Sequence, residues 1–241
     1  MKKIFESTGQ KVRLLFLINI LIASSYLFIN GATVKNVAIS MLIYFLFTSI
    51  GMVCTFHRFY SHKSFEFRNN VLKYFCTMLG LLSGSGSVIG WCGIHNKHHD
   101  KHDTPDDPHD SKRGFFNLIT LNYNYDIELK YVKYLLKNKF LIMTHQYYFL
   151  LILMYAMLLT LSLGFEGLVF GFCLPSMIVL FVSGLTTYFL HEGGSPQTVR
   201  WMNMLVFGDG NHFEHHKNSK RYRHEHDDVS GWIIHNVLRR A

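Results

Sequence analysis

Hydrophobic positions in this chain fall into long unbroken runs instead of a helical or strand alternation. Leu14–Val34, Asn36–Phe56, Tyr74–Ile94, Tyr147–Phe165 and Gly167–Leu190 carry no charged side chain. About 20 apolar residues in a helix cross the hydrocarbon of a bilayer. Four of the runs read as transmembrane helices, paired as hairpins 14–34 with 36–56 and 147–165 with 167–190. The predicted fold class is an all-α, multi-pass integral membrane protein, one domain over residues 1–241 with no repeat and no linker. Helical connectors over 57–146 and 191–241 form a polar cap.

The first run follows Lys2, Lys3, Lys11 and Arg13, as the apolar part of a secretory leader would. It is longer than such a region, lacks a small-residue cleavage site and runs almost directly into the next run, so it reads as a span. The fifth run, Tyr74–Ile94, is interrupted by Gly80, Gly84, Gly86 and Gly90 and by Ser83-Gly84-Ser85-Gly86-Ser87. Glycine at this density breaks a helix, which predicts a re-entrant or interfacial element instead of a fifth crossing. The alternative is a true span.

Charge then orients the chain. The net charge is +8, yet of 24 Lys and Arg only Lys35 lies at a hairpin tip, and the other tip carries Glu166. The rest lie in the N-terminus, in 57–146 and after Leu190, which the positive-inside rule places in the cytoplasm together with both termini. Topology accounts for the basic excess, and no nucleic-acid partner is needed. Cys54, Cys76, Cys92 and Cys173 sit in apolar surroundings without a C-x2-C pair and read as small buried hydrophobes.

Chemistry concentrates in three histidine clusters: His57-x4-His62, His95-x2-His98-His99 and His212-x2-His215-His216. Neutral imidazole binds zinc, copper and iron. Residues i, i+3 and i+4 share a helix face, so each H-x2-H-H triplet offers three ligands together. Five residues leave His62 about 140° past His57 in a regular α-helix. His57 is therefore expected to end the second span, with His62 returning from the next turn or helix. His191 ends the last span level with His57 and reads as a ninth ligand. Nine imidazoles exceed one ion's capacity and imply two metals. Structural zinc and electron-transfer copper sites usually recruit cysteine, which leaves a di-iron, dioxygen-activating centre as the best fit. Histidines serving as pH sensors or head-group contacts would not need such ordered triplets.

Gly51-x5-His57-Arg58-x2-Ser61-His62-Lys63-Ser64-Phe65 resembles the first histidine box of membrane fatty-acyl desaturases of the acyl-CoA (stearoyl-CoA) type. Trp91-x3-His95-x2-His98-His99 with Asp106-Asp107-Pro108-His109 and Lys112–Phe116 is similar to the second box, and Gly208-Asp209-Gly210-Asn211-His212-x2-His215-His216 to the third. The resemblance runs from about Thr48 to His216 and is that of a divergent, bacterial-like member. It implies four transmembrane helices, a cytosolic cap and two irons held by His57, His62, His95, His98, His99, His191, His212, His215 and His216. It also implies dioxygen as co-substrate, a long acyl substrate on CoA, carrier protein or lipid, and a cis double bond as product.

The chain departs from that pattern at Asn96, where the second box usually has Arg, and at Asp209, where the third has Glu. At Thr187 an Asn usually holds a metal-bound water, and the stretch after His216 also differs. Acidic residues that would orient the ligands are sought among Asp100, Asp103, Asp106, Asp107, Asp209 and Glu214, with Asp107 and Asp209 foremost. His102, His109, His224 and His226 have the wrong spacing, and His145 and His235 read as incidental. Lys97, Lys112 and Arg113 are candidates for a phosphate, or simply loop charges near lipid. His191-Glu192-Gly193-Gly194 echoes the H-P-G-G of cytochrome b5 without its proline or the length of such a domain. Electrons are thus expected from a separate ferredoxin, rubredoxin or cytochrome b5. A di-iron monooxygenase is the alternative reading, since hydroxylation shares the first hydrogen abstraction. A metal-handling membrane protein would place ionisable residues inside the spans, which are free of charge.

Overall fold

The computed structural model describes residues 2–102, 104–122, 127–224 and 227–240, with side chains from residue 9 onward. Eleven α-helices in chain order make up the described fold: α1 (Lys2–Asn30), α2 (Val34–Phe45), α3 (Asn70–Leu82), α4 (Val88–Lys101), α5 (Phe115–Ile119), α6 (Lys139–Gln146), α7 (Tyr148–Leu168), α8 (Leu174–Leu190), α9 (Asn203–Val206), α10 (His212–Lys217) and α11 (Val229–Ile233). Among the described residues, three helical runs are long and apolar enough to cross a membrane: Gly9–Asn30, Val34–Ser61 and Tyr148–Leu190. The third spans 43 residues, about twice what one crossing needs, and is broken at Gly164, whose φ of 70° no other residue type adopts cheaply. Its two arms fold back on each other, since Tyr155 donates to the Gly171 carbonyl at 3.1 Å. The break thus falls two residues before the charged tip expected at Glu166.

The apolar outer faces of these helices remain exposed, as at Phe28, Val34 and Leu161. Their inner faces carry small polar side chains that bond across helices, the usual adhesive where water is absent. Asn19 donates to Ser176 at 3.2 Å, Ser176 to the Ser83 carbonyl at 2.7 Å, and Ser40 to the Phe170 carbonyl at 2.8 Å. The Tyr74–Ile94 run is divided between α3 and α4 by a turn in which Gly84 and Gly86 take φ of 85° and 101°. Neither helix is long enough to cross a bilayer, and the histidines of α4 lie beside those at the end of the second run. This excludes the alternative in which the fifth run separates the two clusters.

The second run is not α-helical throughout. From Leu46 to Ser61 it is a π-helix, with hydrogen bonds reaching five residues back. Two further π segments, Val169–Cys173 and Ile234–Leu238, follow α7 and α11. The long π-helix packs against α3 with its backbone almost touching: a Cβ on Gly51 would lie 2.5 Å from the Gly80 nitrogen. The C-terminal segment returns to the same helix, where Ser49 and Ser230 hydroxyls bond at 2.9 Å.

This crossing is testable. Gly51→Ala is expected to force π-helix and α3 apart and lower stability by about 1–3 kcal/mol, the usual cost of overpacking. Gly90→Ala, whose Cβ would meet only the Ser87 hydroxyl at 3.5 Å, is expected to be neutral or stabilising by up to ~1 kcal/mol. Thermal unfolding in detergent micelles compares the two.

Candidate metal centre

All nine histidines expected as ligands converge at the ends of the long helices. The π-helix supplies the one pairing that α-helical geometry denies. The His62 amide donates to the His57 carbonyl five residues back at 3.1 Å, so the two imidazoles stand one above the other, with ring centroids 4.9 Å apart. The expectation that His62 returns from a separate turn is thereby corrected: one continuous helix carries His57 and is capped by His62. α4 brings His95, His98 and His99, α10 brings His212, His215 and His216, and His191 caps the C-terminus of α8.

The imidazoles form two groups, each with its ligand atoms within 4.8 Å of one another: His57, His62, His95, His99 and His215, and His98, His191, His212 and His216. Each H-x2-H-H triplet is divided between them. His95 and His99 join one group and His98 the other, while His212 and His216 oppose His215. In the first group Nε2 of His215 stands 3.0 Å from that of His57 and 3.1 Å from that of His99, and His62 Nε2 lies 2.9 Å from His95 Nε2. In the second, His212 Nε2 faces His191 at 2.7 Å and His216 at 3.0 Å.

Among the described residues, a carboxylate stands behind a histidine of each group. Asp209 accepts from His57 Nδ1 at 2.8 Å, and the fully buried Asp107 accepts from His98 Nδ1 at 2.9 and 3.0 Å. With Nδ1 fixed as the N–H donor, Nε2 is the atom left to bind, an arrangement typical of metal-ligating histidine. Burial, reinforced by the neighbouring imidazoles, holds His62, His95, His98, His99, His212 and His215 well below the usual imidazole range. The same causes bring His216 to about 3. Burial alone would raise the Asp209 carboxyl, but His57 and Arg58 outweigh it and keep it ionised. A ring nitrogen carries at most one proton, so His215 Nε2 cannot satisfy both partners by hydrogen bonding. Neutral imidazole lone pairs gathered at two points, with carboxylates behind them, fit a pair of transition-metal ions.

A cavity of about 110 Å³ opens onto this cluster. His57, His95, His98, His191, His212 and Asp209 line it together with the apolar Met52, Val53, Val179, Val182, Val206 and Trp91 and the hydroxyls of Thr48, Ser85, Ser183, Thr186 and Thr187. Trp91 also stacks on His95 at 4.9 Å. Thr187 sits on the wall and donates to the Ser183 carbonyl at 3.2 Å, leaving its oxygen lone pairs free to accept.

Other expected residues fall elsewhere. Asp100 bonds Tyr131 and Lys130 at the surface, Asp106 and Glu214 are exposed, and Asp103 and His226 lie outside the described residues. Lys97 is buried, its ammonium 3.7 Å from Glu128, so it offers nothing to a phosphate. Ring spacing understated two histidines: His109 lines the cavity 5.2 Å from His98, and His224 lies buried 6.1 Å from His215. Arg58 and Asp228, neither sought as site residues, form a buried ion pair at 2.9 Å behind Asp209. Their signals were a charge closing an apolar run and an aspartate heading the short apolar helix α11.

The depressed imidazoles predict a pH dependence. Below the ordinary imidazole value of 6.5, the unfolded chain binds protons that the folded site refuses, so stability falls with falling pH. The metal-free protein is expected to lose thermal stability progressively below about pH 6.5, and to lose less when several of these histidines are replaced by Gln. Thermal melts across pH 5–8 measure it.

Residues 35–240 match the family model described as fatty acid desaturase. Among named proteins, the sn-1 stearoyl-lipid 9-desaturase of Anabaena variabilis is 27% identical over 227 residues, covering 88% of this chain and 83% of its own length. The sn-1 stearoyl-lipid 9-desaturase of a Synechocystis strain is 29% identical over 204 residues, covering 79% and 64%. The acyl-CoA C20 Delta5-desaturase of Anemone leveillei is 28% identical over 218 residues, covering 83% and 68%. With its histidines drawn into two groups beside a cavity partly walled by apolar side chains, the chain belongs to the fatty acid desaturase family, oxidoreductases that act on fatty acyl chains.

Proposed function

We propose that the protein is an oxygen-dependent desaturase that introduces a cis double bond into a long acyl chain at a di-iron centre. His57, His62, His95, His99 and His215 would hold one ion, and His98, His191, His212 and His216 the other. The observation that carries this reading is that members of both imidazole groups line one cavity together with Met52, Val53, Val179, Val182 and Val206.

The overall reaction takes two hydrogens from adjacent methylenes and, with dioxygen, two electrons and two protons, yields a double bond and two waters. When bound, the irons supply dioxygen activation and the power to abstract hydrogen from an unactivated methylene. The chain's own residues do the rest. Val179 and Val182 on α8 and Met52 and Val53 on the π-helix exclude water and fix which carbons lie beside the imidazoles, the positional control on which such chemistry depends. Asp107 and Asp209 hold the Nδ1 protons of His98 and His57 so that Nε2 faces inward. Thr187, with its accepting oxygen free, would hold a water beside the second group.

The apolar helices support a membrane reading. The two arms of Tyr148–Leu190 with Gly9–Asn30 and Val34–Ser61 would make four crossings in two hairpins, and the distribution of Lys and Arg would put the histidines and both termini on the cytoplasmic side. The substrate would be an acyl chain linked to lipid or CoA, as the names of the similar proteins suggest. Electrons would come from a separate ferredoxin, rubredoxin or cytochrome b5.

Two experiments test this. Fatty acids of aerated cells expressing the chain with a ferredoxin or cytochrome b5 are profiled by gas chromatography–mass spectrometry. A new unsaturated acid is expected, absent with His98→Ala, whose purified protein should hold one iron per chain instead of two, because only the second group is broken. A hydroxy acid would instead indicate a monooxygenase, and protein without iron would overturn the di-iron assignment. Val182→Trp, which fills the apolar wall, is expected to retain both irons yet lower conversion roughly a hundredfold by displacing the chain.

A further inference from the structure

Behind Asp209 lies a chain of buried charges that reaches the C-terminal segment. Arg58 follows His57 in the π-helix, and its side chain is 1% exposed. Its Nη2 donates to Asp209 Oδ1 at 3.2 Å, while the other Asp209 oxygen accepts from His57 Nδ1. Its Nη1 donates to Asp228 Oδ2 at 2.9 Å and to the Tyr222 carbonyl at 2.8 Å. Asp228, also 1% exposed, divides its carboxylate. Oδ1 caps α11 by accepting the Gly231 amide at 2.8 Å, and Oδ2 takes the His224 amide at 2.7 Å along with Arg58. The carboxylate occupies space that side chains at positions 208 and 231 would need: a Cβ on either glycine would collide with it.

Capping a helix of five residues does not require a buried arginine. One guanidinium set against two carboxylates leaves a net charge of −1 behind His57, beside imidazoles held neutral. Without Asp228, Arg58 would have Asp209 as its one anionic partner among the described residues and would draw that carboxylate off His57. We infer that Asp228 is a positioning residue of the metal centre: by holding Arg58 it keeps Asp209 where His57 needs an Nδ1 acceptor. This rests on the metal reading proposed above and extends it to a residue outside all three histidine clusters.

The test is a double-mutant cycle read by metal binding to purified, metal-stripped protein, with Fe2+ under anaerobic conditions and with Co2+ as a spectroscopic probe. Asp228→Asn keeps the shape and the cap on Gly231. It is expected to weaken metal binding about tenfold, the lower end of the range for partners behind a ligand, and to shift the Co2+ absorption bands. In an Arg58→Met background the same substitution is expected to change affinity by less than about twofold, because the link it acts through is gone. Ser230→Ala, which loosens α11 from the π-helix without touching Arg58, is expected to lower the melting temperature and leave metal binding and the Co2+ spectrum unchanged.

Unchanged affinity in Asp228→Asn would overturn the inference. So would an equal loss in the Arg58→Met background, or the same loss in Ser230→Ala, since each would mean a merely structural role. If Asp228→Asn does not fold, Arg58→Lys carries the test. A lysine is a point charge without the fork that spans two carboxylates, so it should weaken binding about tenfold, and wild-type affinity there would refute the relay. A wild-type protein that binds neither metal would overturn the metal centre itself and not this link.

Discussion

The five-residue hydrogen-bond repeat of Leu46–Ser61 is the constraint on which the rest of the molecule depends. In an α-helix His57 and His62 would point apart by about 140°; in the π register they meet edge to face and join one group of ligands. A π-helix is intrinsically poor, and a run of this length persists only where its surroundings determine it. Here α3 is pressed against it where Gly51 meets Gly80, His62 faces His95 of α4, and Ser49 and Arg58 engage the segment around α11. The same helix therefore links the apolar interior to α4, to α10 and to the C-terminal segment.

The second requirement is that a dense cluster of titratable groups stay uncharged. Burial and mutual repulsion together accomplish this, and each reinforces the other, since a proton on one imidazole raises the cost of a proton on the next. Asp209 and Asp107, one beside each group, both accept from an Nδ1 instead of entering between the Nε2 atoms. The lone pairs stay inward, and the negative charge that a metal pair would call for lies just outside the ligands.

Sequence patterning revealed the apolar runs, the break in Tyr74–Ile94 and the residues of both imidazole groups, because each rests on a local signal: charge-free length, glycine density, or histidine spacing. What it did not reveal depended on tertiary context. No propensity marks Leu46–Ser61 as π rather than α, so the relation between His57 and His62 is not legible from their spacing. Lys97 looked available by composition but is drawn inward to Glu128 by the packing of α4 against the 127–137 connector. Arg58 and Asp228 lie 170 residues apart and meet only because the C-terminal segment folds back on the π-helix. The division of each H-x2-H-H triplet between two groups is likewise a property of two facing helices, not of one.

The departures from the desaturase pattern are best understood as compensated exchanges. Aspartate at 209 is one methylene shorter than the expected glutamate, yet it reaches both His57 and Arg58. It does so because the preceding residue is Gly208, at φ 125°, where any side chain would collide with the Asp228 carboxylate. The shorter acid and the close backbone therefore belong together. At Asn96 the side-chain amide donates to the Tyr131 carbonyl and to the Tyr134 hydroxyl, which in turn donates to the Tyr60 carbonyl. A neutral amide thus ties α4 to the π-helix through a connector, where an arginine would bring a charge into the same half-buried space and demand a partner of its own. At 209 the shorter acid is matched by a close backbone at Gly208, and at 96 a neutral amide makes its contacts through tyrosines, so the histidine frame is kept while its supports change.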